Sequence, residues 1–156
     1  MNLSEFNSAE FTQFVQDHLE EDPALLLFKY QGKVAFDLKM AVQQIAARQK
    51  AAKKLPSWSK NLDLLFPSSI SVEQSSSEQT AAFKSSGRRG GWMVDLTGGF
   101  GVDCYHLSQG FEKGVYCEQQ AELFQISIHN LSALNPGKFD FVEGNGLDFL
   151  QKTELR

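Results

Sequence analysis

The stretch Trp92-Met93-Val94-Asp95-Leu96-Thr97-Gly98-Gly99-Phe100-Gly101-Val102-Asp103 decides how this chain folds. It opens with an apolar run, typical of a short buried strand, and reaches a carboxylate and three glycines before a helical pattern begins. Glycine lets the backbone turn sharply and approach a ligand closely, and the start of a helix carries N–H groups without partners inside the helix. The stretch therefore predicts a strand–loop–helix unit that binds a nucleotide-like ligand.

The spacing of the glycines separates two kinds of nucleotide loop. A dinucleotide fingerprint needs G-x-G-x-x-G, whereas this loop reads G-G-x-G and has Cys104 where the last glycine would stand. The arrangement Asp95-x-Thr97-x-Gly99-x-Gly101 resembles motif I of the class I S-adenosylmethionine (SAM) methyltransferases, D/E-x-G-x-G-x-G, with Thr97 replacing the first glycine. A plain strand–helix turn also needs glycine, so the segments that follow must separate the two interpretations.

Two further segments follow in the order of a βαβαβ unit. Residues 114–118 predict a second strand that ends in Glu118, close to the roughly 20 residues after the first strand at which an acid binds ribose hydroxyls. Helical spacing over 119–134 then leads to a third strand at 139–142. The segment Gly144-Asn145-Gly146 comes next, and by itself it fits a plain turn equally well.

The resemblance to SAM methyltransferases covers residues 92–150 and implies a role for each landmark. It implies that Asp95 orients the methionine end of SAM, that Glu118 holds the ribose and that Asn145 contacts the adenine, with Gly146 leaving room for the ring. The residues that it assigns to cofactor binding are Asp95, Thr97, Gly98, Gly99, Phe100, Gly101, Glu118, Gln119, Asn145 and Gly146.

The region before the glycine loop extends the resemblance. A basic helix, Leu-Pro-x-Trp and Glu-Gln-x-Ser-Ser-Glu-x-Thr-Ala-x-x-Lys precede motif I, and this order is similar to a group of bacterial methyltransferases with a helical N-terminal region and a THUMP-like, RNA-associated C-terminal domain. The similarity implies RNA as the methyl acceptor. It also makes four residues second-rank candidates for the methionine end or the acceptor pocket, namely Gln74, Ser76, Thr80 and Lys84.

The predicted fold class is α/β: a helical N-terminal subdomain (1–68), a connecting strand, helix and linker (69–91), and the first half, β-α-β-α-β, of a Rossmann-like SAM methyltransferase domain (92–156). On this interpretation the chain ends after the third strand, any catalytic residues lie beyond residue 156, and the first strand exposes an edge that invites self-association.

Cap and turn residues predict the N-terminal elements. Ser8 and Asp22-Pro23 predict the starts of two helices, and a third helix is expected over residues 36–54. Residues 70–72 alternate like a strand. A capping box, Ser75 with Glu78 or Ser76 with Gln79, then predicts a further helix.

Charge is strongly segregated along the chain. The net charge is −4, but residues 29–60 contain eight lysines and arginines and a single acid. The third helix carries a basic face that is either an ordinary solvated face or, with no acids expected nearby, a phosphate-attracting wall. The nucleic-acid candidates on it are Lys39, Lys50, Lys53 and Lys54.

Composition excludes several classes of protein. The hydrophobic content of 42% and the charged content of 22% are those of a globular protein, with no membrane-spanning run or signal peptide, and we expect a cytoplasmic location. Cys104 and Cys117 lack metal-ligand spacing and are predicted to be buried thiols, so no metal site is expected.

Two other functions compete with a SAM methyltransferase. The first is an NAD-type oxidoreductase, which the glycine spacing disfavours. The second is a non-catalytic nucleic-acid-binding module that uses the basic face of residues 39–60.

Overall fold

Six helices precede the first strand in the computed structural model, which describes residue 6 and residues 8–153. They are α1 (Ala9–Asp17), α2 (Pro23–Tyr30), α3 (Leu38–Ala51), α4 (Pro56–Lys60), α5 (Ser69–Gln74) and α6 (Glu78–Ser85). The predicted starts of α1 and α2 are confirmed, because Ser8 accepts a hydrogen bond from the Phe11 N–H and Asp22 accepts one from the Ala24 N–H.

A three-stranded parallel sheet follows, with helices between its strands. The elements are β1 (Gly90–Asp95), α7 (Val102–Ser108), β2 (Phe111–Glu118), α8 (Ala121–Leu134), β3 (Phe139–Glu143) and α9 (Gly146–Lys152). β2 lies in the middle, with Asp95 paired to Tyr116 and Glu118 paired to Glu143 in register. The predicted β-α-β-α-β order and α/β fold class are confirmed. β1 is an edge strand among the described residues, and its pairing with a second copy stays a prediction.

Two expectations for the segment before β1 are wrong. Residues 70–72 lie in the helix α5, where Val72 packs into the core, and they do not form a strand. The N-cap of α6 is Ser77, which accepts from the Thr80 N–H. Glu78 completes no capping box: it accepts instead from the N–H groups of Ser57 and Trp58, since the start of α4 lies beside it and needs acceptors.

The N-terminal helices and the glycine loop share one hydrophobic core. Trp58 of α4 packs edge-on against Phe100 of the loop with ring centroids 5.1 Å apart, and Phe66 packs against the same ring at 5.3 Å. Phe100, Leu123 and residues from α1 to α6 all belong to the same buried cluster. The loop after β1 is therefore positioned by the N-terminal region as well as by the sheet, while the predicted domain boundaries stay a prediction.

Buried polar side chains fix the segment that joins α4 to α5. Asn130 of α8 both donates to the Leu65 carbonyl and accepts from the Leu65 N–H, each at 2.8 Å, and Gln44 of α3 pairs with the Phe66 backbone in the same two-way manner. Arg48 donates to three backbone carbonyls of residues 59–64. Because buried backbone groups need partners, these side chains hold residues 59–66 against both α3 and α8.

No helix within residues 8–153 combines the length and the apolar character needed to cross a membrane. Cys104 and Cys117 are both buried free thiols, as predicted.

Candidate functional site

A cavity of about 900 Å³ lies at the carboxyl ends of β1 and β2. The glycine loop forms its floor, α5 and the turn after it form one wall, and the segment around the start of α8 forms another. This is the position at which parallel α/β sheets bind ligands. Of the predicted site residues, those that line the cavity are Gln74, Ser76, Lys84, Asp95, Thr97, Gly98, Gly99, Phe100, Gly101 and Glu118.

Backbone geometry explains why the loop needs its glycines. Gly99 and Gly101 have φ values of +56° and +84°, which L side chains rarely adopt. A Cβ at Gly98 would overlap the ring of Tyr116, so this residue can only be glycine while β2 lies against the loop. Two backbone hydrogen bonds hold the loop. The Gly98 N–H donates to the carbonyl of Cys117 in β2 at 2.8 Å, and the Gly101 N–H donates to the Gly98 carbonyl at 2.9 Å.

Glu118 fastens the loop to the end of β2. Its carboxylate accepts from the Gly99 N–H at 3.0 Å and from the Gln120 N–H at 2.8 Å, and the residue is only 6% exposed. Glu118 thus organises the floor of the cavity while lining it, and its ribose role stays a prediction. The Gly99 N–H is therefore engaged by Glu118.

Asp95 ends β1 with a partly buried carboxylate. It accepts from the Thr97 N–H at 3.1 Å, and burial raises the pKa of Asp95 above its ordinary value of 3.8. The neighbouring charges of Asp103 and Glu118 raise this pKa further. Several carboxylates converge here, so the cavity favours a ligand group that carries positive charge.

A charged cluster of Ser76, Lys84 and Asp103 forms the far wall. The Lys84 ammonium lies 2.8 Å from Asp103 Oδ2 and donates to Ser76 Oγ at 2.9 Å, and Ser76 Oγ donates to the same Asp103 oxygen at 2.7 Å. The second oxygen, Asp103 Oδ1, is buried and has no hydrogen-bond partner among the residues that the structure describes. A buried acceptor without a donor is costly, and the residue that carries it lines the cavity.

Asp103 is a site residue that the sequence analysis missed. The available signal was its position at the end of the opening stretch, in the first turn of the helix after Gly101. Gln120 was missed in the same way: it lines the cavity, whereas its predicted neighbour Gln119 does not border it.

Three other predicted site residues do not border this cavity. Thr80 lies in α6 and contributes to the cap made by Ser77. Asn145 is the N-cap of α9, where it accepts from the Leu147 N–H at 2.8 Å. A Cβ on Gly146 would overlap the backbone of Leu96, so close packing beneath the loop requires this glycine. The adenine roles of Asn145 and Gly146 stay predictions.

The basic face predicted for residues 39–60 has an acid beside it, contrary to expectation, and α3 ends at Ala51, so Lys53 and Lys54 lie in the turn that follows. Lys50 lies 3.4 Å from a carboxylate oxygen of Glu73, and Lys54 donates to the carbonyls of Val72 and Glu73 at 3.2 and 2.6 Å. α5 is a helix packed beside α3, which brings these partners within reach. Lys39 and Lys53 remain exposed. Arg48, counted among the bases of this segment, is buried and stacks over the Phe66 ring at 5.0 Å.

Comparison with solved structures finds a protein of similar fold. A putative methyltransferase from Porphyromonas gingivalis W83 superposes with a TM-score of 0.78 and 30% sequence identity over 91% of this chain. The match covers 36% of that protein, so the chain spans about a third of its length. No family model and no curated protein matches the chain.

Proposed function

We propose that this chain forms the cofactor-binding portion of a SAM-dependent methyltransferase. The observation that carries the proposal is the cavity at the carboxyl ends of β1 and β2, where Asp95, Glu118 and Asp103 converge over the glycine loop. The fold shared with the Porphyromonas methyltransferase at 30% identity supports the same class of enzyme.

The residues present fit SAM by charge. Its amino-acid end carries an ammonium and a carboxylate, and the far wall of the cavity offers the Asp103 carboxylate and the Lys84 ammonium. Asp95 adds negative charge beside them, which favours both the ammonium and the sulfonium. Glu118 stands at the end of β2, where a carboxylate accepts ribose hydroxyl protons. A cavity of about 900 Å³ lies within the range of small-molecule sites.

Bound SAM would supply a methyl group on a sulfonium for direct transfer to a nucleophile. The contribution of this chain would be positional: the glycine loop, held by Glu118, fixes the floor, and the Lys84–Asp103 pair fixes the amino-acid end. Such positioning converts an encounter into an oriented approach and accounts for a large share of catalysis in transfer reactions.

RNA is the acceptor that we propose. The support is the exposed pair Lys39 and Lys53, which are free to attract phosphates, although Lys50 and Lys54 are engaged with α5. A non-catalytic RNA-binding module is the alternative, and it requires no response to the cofactor.

Calorimetric titration with S-adenosylhomocysteine tests the proposal, with NAD as the control ligand. We expect saturable binding of S-adenosylhomocysteine and none of NAD. Asn145→Ala and Asn135→Ala form a matched pair for the adenine assignment, because both side chains lie beside a helix terminus and only Asn145 is assigned to the ligand. A folded chain that ignores S-adenosylhomocysteine but binds RNA would favour the non-catalytic module, and binding of NAD would favour an oxidoreductase.

A further inference from the structure

A second cavity lies at the opposite end of β1 from the glycine loop. It measures about 410 Å³ and lies between the turn that precedes β1 and the end of α7. Its lining consists of Arg88, Arg89, His106, Gln109, Ser85 and two glycines. Among the residues that the structure describes, this lining contains two arginines and no carboxylic acid, in a protein whose net charge is −4.

The backbone around the arginines is held by several contacts. The Arg88 N–H donates to the Ser85 carbonyl at 3.1 Å, and Arg88 Nε donates to the Lys84 carbonyl at 2.7 Å. The Gly90 N–H donates to the Gly110 carbonyl at 3.1 Å. A Cβ on Gly110 would overlap the Arg88 carbonyl, so the turn and the end of α7 meet this closely because residue 110 is glycine. Within the described part of the chain, no hydrogen bond engages the two terminal nitrogens of the Arg88 guanidinium.

The positive charge of this cavity is not neutralised by neighbouring acids. Neither arginine belongs to an ion pair among the residues that the structure describes. The acids that influence His106 are engaged elsewhere, since Asp103 pairs with Lys84 and Glu78 caps α4. Burial lowers the pKa of His106 and so favours its neutral ring, whereas both arginines carry a full positive charge.

We propose that Arg88 and Arg89 form a phosphate-binding subsite that takes a backbone phosphodiester of a nucleic acid. The planar guanidinium offers paired donors that match two phosphate oxygens, and both arginines are exposed, so a strand can reach them. β1 runs from this cavity to the glycine loop, a distance of roughly 20 Å at about 3.3 Å per residue. The contact would therefore lie several nucleotides from an acceptor at the first cavity. The distance to an acceptor rests on the proposed function, whereas the phosphate contact itself does not require bound cofactor.

Fluorescence anisotropy with a labelled single-stranded RNA, measured over a salt series, tests this subsite. The variant is Arg88→Gln/Arg89→Gln, and the charge-matched control is Lys33→Gln/Lys152→Gln, two exposed lysines outside the residues proposed to contact RNA. We expect the arginine variant to bind RNA about tenfold or more weakly and to lose about 0.7 from its salt slope, as for one phosphate contact. The lysine control should change less. Equal losses in the two variants would mean diffuse charge attraction and would overturn the subsite.

Two further measurements separate the remaining outcomes. Both variants should keep the thermal midpoint and the S-adenosylhomocysteine affinity of the parent chain, which distinguishes failure of the subsite from failure of the cofactor proposal. Inorganic phosphate at constant ionic strength should compete only weakly with RNA. Binding of inorganic phosphate as tight as that of the RNA would assign the cavity to a free phosphate and would overturn the nucleic-acid assignment.

Discussion

Replacing Lys84 with methionine separates ligand recognition from folding at the far wall of the cavity. The substitution keeps an unbranched apolar stem and removes the ammonium that contacts Asp103 at 2.8 Å and Ser76 at 2.9 Å. The Lys84 side chain is 48% exposed and that of Asp103 is 32% exposed, so solvent screens their ion pair. Exposed pairs of this kind contribute about 0–1 kcal/mol, and we expect the stability of the chain to change by no more than that.

The expected effect on ligand binding is larger. A charge-assisted hydrogen bond between an ammonium and the carboxylate of a bound ligand contributes about 1.5–3 kcal/mol. Its loss would weaken S-adenosylhomocysteine binding by roughly 10- to 150-fold. A thioether nucleoside without the amino-acid end, 5′-methylthioadenosine, should bind the parent chain and Lys84→Met equally well, because it has no carboxylate for Lys84 to contact.

Calorimetric titration of both ligands into both chains measures this difference directly, and urea denaturation measures the stability. Lys53→Met is the matched control, since Lys53 is an exposed lysine that does not line the cavity. Equal weakening of the two ligands would show that Lys84 shapes the cavity without contacting the amino-acid end. A loss of stability above about 2 kcal/mol would refute the estimate for the screened ion pair.

Three further substitutions test the energetics of the site and its support. Burial raises the pKa of Asp95, so its carboxyl group ionises less readily in the folded chain than in the unfolded chain. The folded state therefore loses stability as the pH rises from about 3.8 through the raised pKa. Asp95→Asn should weaken this pH dependence and raise the urea midpoint at pH 7. Asn130→Ala leaves the buried Leu65 N–H and carbonyl unpaired and should cost about 2–5 kcal/mol by urea denaturation, whereas Ser132→Ala on the exposed side of α8 should change little. Arg48→Met leaves three backbone carbonyls without their donor and should lower the thermal midpoint by roughly 5–15 °C. An unchanged midpoint would mean that water donates to those carbonyls instead.

Helix and strand positions were predicted well wherever the sequence contained a helix-capping residue or a glycine turn. Ser8 and Asp22-Pro23 marked the starts of α1 and α2, and the glycine stretch marked the turn from β1 into α7. The short apolar alternation at residues 70–72 gave a wrong prediction of a strand, because a pattern of three residues cannot distinguish a strand from a helical turn. The serine run offered several caps of equal quality, and the contact between α6 and α4 decided among them by engaging Glu78.

The site itself was predictable only in part. Asp95, Glu118 and the loop glycines follow from the order of strand, glycines and acid, because consecutive parallel strands bring their carboxyl ends to one edge. The pairing of Lys84 with Asp103 could not be read from the sequence, as it depends on how α6 packs against α7 across 19 residues. The same holds for the contacts that Lys50 and Lys54 make with Glu73, because these contacts depend on how α5 packs beside α3.

The sequence by itself determined the kind of unit this chain builds: its alternation of short strands, glycine turn and amphipathic helices leaves only a parallel α/β sheet with a ligand edge. Only the tertiary structure decided which charged side chains face that edge and which are engaged by other groups of the protein. Arg48 and Lys84 look alike in the sequence, but Arg48 is buried against backbone carbonyls and Lys84 reaches the cavity. The physical reason is that the cost of burying a charge depends on partners that folding brings from distant parts of the chain.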